Sequence, residues 1–515
     1  MSGGHVFVVN GRIEDLVHDA AVIPTDEYFV VEPHWDELLG RDPGRLQPSE
    51  WSPGGYGRAA DGMPVWFIDV GDSHLHDVGP LGLAARLATV MREIAESGLE
   101  PMKGRLLPLV AVPVLGIGLG GLAGRQGEVV VALLETLEHA VQEHEIDVVV
   151  VTPDRSVYAA VQHKRKSLRS SEPSDRGQRR LGDLAARGQL ALMIGAGASI
   201  PAGLPSWEEL IDQLGANQDR SVLSQVRKLA ESPLDQAELL SRLLSGQLGP
   251  AVVAAMHRTV RPSLAHALLA GLRTRETLTT NYDSLFERAV RAADPNLELR
   301  TLPATVGDPS EHWLLKMHGS LDDPTSIVLT RSDFVRYDAR VKPAASVLQA
   351  VALTRHMLMV GLSLKDDNVV RLLLEVDDYR TSGRDGSSEP FATLLDVSGD
   401  EARAALWEGK VRWLRMGDGI LPGSARELEV FLDGVAMHAC QDTTWLLDER
   451  FVGLLPTKED REIAREIRGL AQRVGQRSRR YEGWAALAHA LEGFGASSEG
   501  DDGRPVGRGA PPDVG

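Results

Sequence analysis

The sequence predicts an α/β chain of two successive α/β units, the second a doubly wound parallel sheet with a helical insert and a helical C-terminal extension. Three observations predict it. Short apolar runs alternate with longer stretches of helical periodicity from residue 6 to residue 420. Two of those runs end directly in glycine-containing turns, at 116–121 and 195–197. The third is bulk: 515 residues exceed what one hydrophobic core usually serves, and 43% apolar with 25% charged residues is an ordinary globular composition.

Taken in order, strand-like runs at 6–9, 20–24 and 65–70 come first, with a helix between the last and 106 that carries Leu83, Leu87, Val90, Met91 and Ile94 on one face. Residues 106–114 form a strand leading into GIGLGG at 116–121, then a helix over 127–143, then IDVVVVT at 146–152, apolar enough to be buried on both faces. Residues 163–180, HKRKSLRSSEPSDRGQRR, are polar and basic without apolar periodicity and read as a solvated linker. The second unit opens with ALMIGAGAS at 191–199 and continues through a helical insert over 207–270. Strand patterns recur near 276–280, 313–317, 356–361, 392–397 and 411–416, and strand alternating with helix argues for a parallel sheet. These patterns divide the chain into a first unit (1–160), a linker (161–182), a second unit (183–425), a helical C-terminal region (426–492) and a Gly/Pro/Ser/Asp-rich tail (493–515) expected to be disordered.

Composition also excludes. A net charge of −18 works against nucleic acid as a partner, because binding phosphates depends on clustered Lys and Arg. The single cysteine, Cys440, rules out an intrachain disulfide and a multi-cysteine zinc site, and no metal is expected. The opening residues lack a basic start followed by a long apolar core, and no stretch reaches the ~18 apolar residues that span a bilayer, so a soluble cytoplasmic protein without membrane contact is expected.

Chemistry concentrates in four segments, each pairing a strand end with polar residues. ALMIGAGASIPAGLPSW, 191–207, places a strand before Gly195 and Gly197, where small residues let backbone amides approach a pyrophosphate and the helix expected from Ser206 favours its charge. TLTTNYDSLF (277–286), LLKMHGSL (314–321) and HMLMVGLSLKDDN (356–368) follow. Ligands of open α/β sheets sit at the carboxyl ends of strands, so the four converge on one crevice. Read for structure alone, Asn281 and Asp283 cap the next helix, and His318 is a turn histidine. Lys316, Asp366 and Asp367 read as surface or structural charges.

In this order the segments resemble the sirtuin series, and are most similar to the sirtuin-like NAD-hydrolase family of bacterial antiphage defence that carries TTNYD and a KxHGS segment. The likeness spans residues 185–420 and implies a Rossmann-type sheet with NAD as substrate. It implies that Gly195, Ala196, Gly197 and Ser199 line the phosphate loop, and that Gly361 and Ser363 border the adenosine half. Asn281 and Asp283 would sit at the nicotinamide ribose and carboxamide, with His318 acting on ribose hydroxyls or an attacking water. These types suit glycosidic cleavage, since an oxocarbenium-like sugar is met by an amide that orients water and an imidazole that titrates near neutrality. Protein-deacetylating sirtuins hold a zinc with four cysteines, which a chain with one cysteine cannot build.

Residues 10–26 and 109–127 resemble a macro domain, which implies recognition of an ADP-ribose-like or other nucleotide signal. By that likeness Asp19 approaches the adenine, and Gly118, Gly120 and Gly121 wrap the diphosphate. The asparagine-rich segment of that family is replaced by IPTD at 23–26, which favours sensing over hydrolysis. As structure alone, these glycines only turn the chain.

The expectation is a regulated NAD hydrolase, releasing nicotinamide and ADP-ribose, that forms a homo-oligomer like its relatives. The alternatives are a non-catalytic NAD- or ADP-ribose-binding module, and transfer of ADP-ribose to an acceptor other than water.

Overall fold

The computed structural model describes residues 3–496 apart from 72, 103, 119–120, 123, 170–175, 217–219, 230–231, 257–260, 306–310, 383–388 and 479–480. Gly120 and most of the expected tail, from 497 on, lie outside the described residues.

The first unit is a six-stranded sheet of β1 (Val6–Asn10), β2 (Ala20–Thr25), β3 (Tyr56–Arg58), β4 (Val65–Asp69), β5 (Leu109–Pro113) and β6 (Asp147–Thr152), ordered β1-β6-β5-β2-β4-β3. All neighbours are parallel except β3, which runs antiparallel at the edge. VFVVN and DVVVVT are buried throughout because both faces of the sheet are covered, the condition that turns alternation into a continuous apolar run. Val6 and Val8 point to the helices Ser73–Glu96 and Gln126–Glu143, where Leu83, Leu87, Val90, Met91 and Ile94 bury the stripe expected of them.

Phe7 and Val9 point the other way, into an apolar cluster that also holds Leu190, Leu192 and Ile194 of the second sheet. The two sheets therefore share one core, bridged by the helices Leu264–Gly271 and Gly423–Ala439.

The second sheet comprises β7 (Leu190–Ile194), β8 (Glu276–Thr279), β9 (Leu299–Leu302), β10 (His312–Lys316), β11 (His356–Val360), β12 (Ala392–Asp396) and β13 (Val411–Arg415), in the order β13-β12-β11-β7-β8-β10-β9. Every pair is parallel, as a doubly wound sheet requires. Six strands fall where the sequence placed them; β9 was not foreseen, because LRTL is short and only half-buried at the edge.

The expected linker is largely helical. Helix Arg155–Leu168 runs through HKRK, and a second helix, Arg176–Ala186, begins within the same polar stretch. The basic run misleads because Arg165 points inward, fully buried, with Asp433 and the carbonyl of Val6 as partners. The boundary drawn at 425 falls inside helix Gly423–Ala439, which packs on Arg176–Ala186 so closely that a Cβ on Gly182 would lie 2.5 Å from His438 Cβ.

That helix is also tied to the first sheet by buried charges. Asp433 accepts from Arg165, from His5 Nε2 at 2.9 Å and from the amide of Val8 at 3.2 Å. Arg426 grips Asp147 through Nε (2.9 Å) and Nη2 (2.8 Å), and Arg105 joins Asp147 to Glu429. Burial works against the ionised Asp433, but Arg165 and His5 outweigh it and hold the carboxyl below the ordinary range.

Candidate active site

Strand register assembles the site. Ile194 stands opposite Thr279 and Val360, and Thr279 opposite Lys316, so β11, β7, β8 and β10 end in one row. The next residues are the four segments: Gly195, Thr280-Asn281, Met317-His318 and Gly361. Chain order reverses at β7, which has β8 on one side and β11 on the other, and such a switch point opens a crevice at the carboxyl edge.

The glycine turn has a packing reason before any ligand is considered. Gly195 N–H donates to Val360 O (2.9 Å) and Gly197 N–H to Gly361 O (3.0 Å). A Cβ on Gly195 would sit 2.5 Å from Gly361 O, one on Gly197 2.8 Å from Gly361 Cα, and Gly361 itself has φ +71°. Three glycines thus let two turns interlock, which leaves Ala196, Gly197 and Ser363 exposed at the edge. Two short 3-10 turns follow, Ala196–Ala198 and Ile200–Ala202, and the helix expected from Ser206 starts at Trp207.

Behind the turn lies a buried polar net. Asn281 Nδ2 donates to Gly195 O and Ser199 Oγ, each 3.1 Å away, and Ser199 Oγ donates to Asp283 Oδ2 at 2.9 Å. The Asp283 Oδ1 atom accepts the Leu285 amide at 3.0 Å, so of the two caps read from sequence Asp283 reaches the helix start alongside the net, whereas Asn281 does not. Asn281 Oδ1 is buried without a hydrogen-bond partner in the structure. His266, from the insert, stands 3.5 Å from Ser199 Oγ and 2.8 Å from Ser263 Oγ; burial pulls its pKa down against the opposing pull of Asp283.

His318 is buried against Phe334 and Tyr337, with ring centroids 5.5 and 6.0 Å away. Its Nε2 lies 3.0 Å from Asp366 Oδ2, close enough for charge attraction but without the alignment of a hydrogen bond. Asp366 also caps helix Asp367–Thr381 through the amides of Asn368 and Val369. Burial would raise its pKa, yet His318 and those amides outweigh burial and keep it below the ordinary carboxylate range. Gly319, at φ +92°, has no room for a Cβ, which would meet Ser326 O at 2.3 Å.

Lys316, read from sequence as a surface or structural charge, is 3% exposed. Its Nζ donates to Asp283 O (2.7 Å) and Tyr282 O (3.2 Å) and pairs with Glu287 at 2.8 Å, holding the TTNYD turn against β10.

The structure brings Gly195, Ala196, Gly197, Ser199, Asn281, Asp283, His318, Gly361 and Ser363 to one edge. It does not do so for the first unit. Asp19 sits at the amino end of β2, its carboxylate taken by the amides of Met102 (2.8 Å) and Leu109 (2.7 Å), whereas Gly118 and Gly121 follow the carboxyl end of β5. A five-residue strand, about 16 Å, separates the two. Asp19 anchors a loop at the opposite edge, and the aspartate-after-helix pattern could not show at which end of β2 it falls. Asp366 and His266 were missed: the first carries the signal of a cap after a strand-end turn, the second lies far away in sequence. Among the described residues no three or more His, Cys, Asp or Glu side chains group to hold a metal ion.

Residues 275–411 match the model of the SIR2-like domain. The chain is 28% identical over 211 residues to the NAD(+) hydrolase ThsA of Enterococcus faecium, covering 38% of this chain and 42% of that protein. It is 27% identical over 196 residues to the NAD(+) hydrolase ThsA of Bacillus cereus (strain MSX-D12), covering 36% and 39%. The chain thus matches about two-fifths of the length of these curated relatives. A crystal structure of a SIR2 homolog–NAD complex aligns with a TM-score of 0.29 at 13% identity, over 51% of this chain and 94% of that one. Set beside the converging turns, the match makes residues 275–411 similar to the SIR2-like domain.

Proposed function

We propose that the chain hydrolyses NAD+ to nicotinamide and ADP-ribose at the carboxyl edge of the second sheet. The observation that carries this reading is Asn281: a buried amide fixed through Nδ2, with its Oδ1 left without a partner, one strand away from the His318–Asp366 pair. A buried acceptor without a donor is costly, and a water or ribose hydroxyl at that point would relieve the cost. The matched NAD(+) hydrolases support the substrate.

In this reading the diphosphate lies against the exposed Ala196 and Gly197 of the glycine turn, where small residues allow close approach, with Ser199 holding the turn to Asp283. Gly361 and Ser363 border the adenosine half. As the bond from ribose C1′ to nicotinamide breaks, the nicotinamide leaves with the bonding pair and becomes neutral. Asn281 Oδ1 accepts a hydrogen bond from water, whose oxygen bonds to C1′, and His318 takes the released proton and passes it to solvent. Asp366 favours the imidazolium formed in between.

The reading extends to a cytoplasmic effector of antiphage defence, active as a homo-oligomer, with the macro-like first unit sensing a nucleotide signal. Helix Gly423–Ala439, in contact with β1 and with helices Arg176–Ala186 and Leu264–Gly271, is the element through which such a signal would pass. Quantified turnover of NAD tests the chemistry: Asn281→Ala and His318→Ala, both folded, are expected to lose at least about a hundredfold in rate, within the range of general acid–base catalysis. Full turnover in both variants would refute the assignment. NAD bound without product under every trigger would instead indicate a binding module, and label retained on macromolecules would indicate transfer.

A further inference from the structure

A second concentration of charge lies at the opposite, amino edge of the same sheet. Helix Arg176–Ala186 and the residue after it present Arg176, Arg179, Arg180 and Arg187 around an open concavity of about 360 Å³, with Asp183 as the one carboxylate in its lining. None of these four guanidiniums forms an ion pair among the described residues; Arg180 Nη1 has only His356 Nε2, at 3.4 Å. Neighbouring Arg412 leans on Glu389 at 3.8 Å, a loose pair whose carboxylate side chain is largely in water. The concavity thus gathers four guanidiniums that have no ion pair among the described residues, in a chain of net charge −18.

The surroundings record the resulting field. His356, at the start of β11, has its pKa lowered to about 3, first by burial and then by Arg180, Arg412 and Arg380. Burial and Arg412 likewise lower Arg180, against an opposing pull from Glu389. Guanidiniums that repel one another are stabilised by an anion offering several oxygens in a plane, which is how arginine meets phosphate. The stripe from 176 to 187 runs about 16 Å along the helix axis, longer than one phosphate needs. The concavity falls in the ~300–1,000 Å³ range of small-molecule sites.

We infer that this arginine-lined concavity binds a small molecule carrying two or more phosphates, at a site separated from the SIR2-like crevice by the length of the sheet. The inference does not depend on the NAD-hydrolase reading.

Inorganic pyrophosphate is the probe, titrated calorimetrically into the full chain at low ionic strength, for wild type and for Arg179→Glu/Arg187→Glu. The expected result is a wild-type binding event weakened at least about tenfold in the variant, and lost as salt rises past about 0.15 M. Equal affinity and stoichiometry in both proteins would assign the pyrophosphate to the glycine turn and overturn the inference, as would no binding by wild type. A poly-dT oligonucleotide bound where pyrophosphate is not would overturn it in favour of an extended polyanion. Should the double reversal fail to fold, Arg179→Gln, at an exposed position, carries the same comparison, with a loss of threefold or more expected and an unchanged affinity overturning it.

Discussion

Lys316 and Asp366 show how burial, rather than residue type, assigns a charge its work. Replacing Lys316 by Met would strand Glu287 and free the Tyr282 and Asp283 carbonyls, and removing one partner of a buried pair costs about 3–5 kcal/mol. Urea unfolding checks that figure, and Lys316→Met/Glu287→Leu should recover part of it. Asp366 gives a pH test whose sign is fixed. Its folded pKa is depressed, so its contribution is present above the unfolded value of about 3.9 and is lost as pH falls through the folded pKa. The stability gap between wild type and Asp366→Asn is expected to be present at about pH 5 and to shrink below about pH 4, as followed by denaturant titration. Asn281 and His318 stood out in the sequence because each closely follows a strand pattern, as it follows β8 and β10 in the fold. Asp366 was not, because only the folded sheet turns a helix cap from β11 towards the ring on β10.

Among elements, the two sheets were readable and the pieces between them were not. Strand and helix periods are local, so β1, β6, β7 and β11 announce themselves; half-buried β9 carries no such period. The stretch over 163–180 looked solvated because a buried ion pair and a surface charge are written with the same letters. Helix Arg155–Leu168 depends on Asp433, 268 residues away in sequence from Arg165. Arg165→Met should therefore lower stability by about 3–5 kcal/mol, whereas Arg165→Met/Asp433→Leu should restore much of it, since an apolar pair of similar volume replaces a buried ion pair at little cost. Thermal unfolding of the three proteins checks this, and equal loss in the single and double variants would argue against the pair as the cause.

At the scale of the molecule, the buried histidines set an acid limit. His18 is lowered to about 4 and His356 to about 3, in both mainly by burial, and His266 is lowered for the same reason. Below about pH 6.5 the unfolded chain binds protons that the folded chain refuses, so each histidine subtracts up to about 1.4 kcal/mol per pH unit. Stability is expected to fall steadily from about pH 6.5 towards 4, and His18→Gln, which removes one such group, should flatten the slope measured by denaturant titration.

The shared core has a consequence for how this chain can be changed by evolution or by design. Phe7 and Val9 belong to the same apolar cluster as Leu192 and Ile194, with helices Leu264–Gly271 and Gly423–Ala439 packed on β1. A different first unit could not be spliced in front of the second sheet as a cassette: it would have to reproduce the relief of that shared core and the places of Asp147 and Arg165. The two halves are heritable only together, and variation in one must be answered in the other.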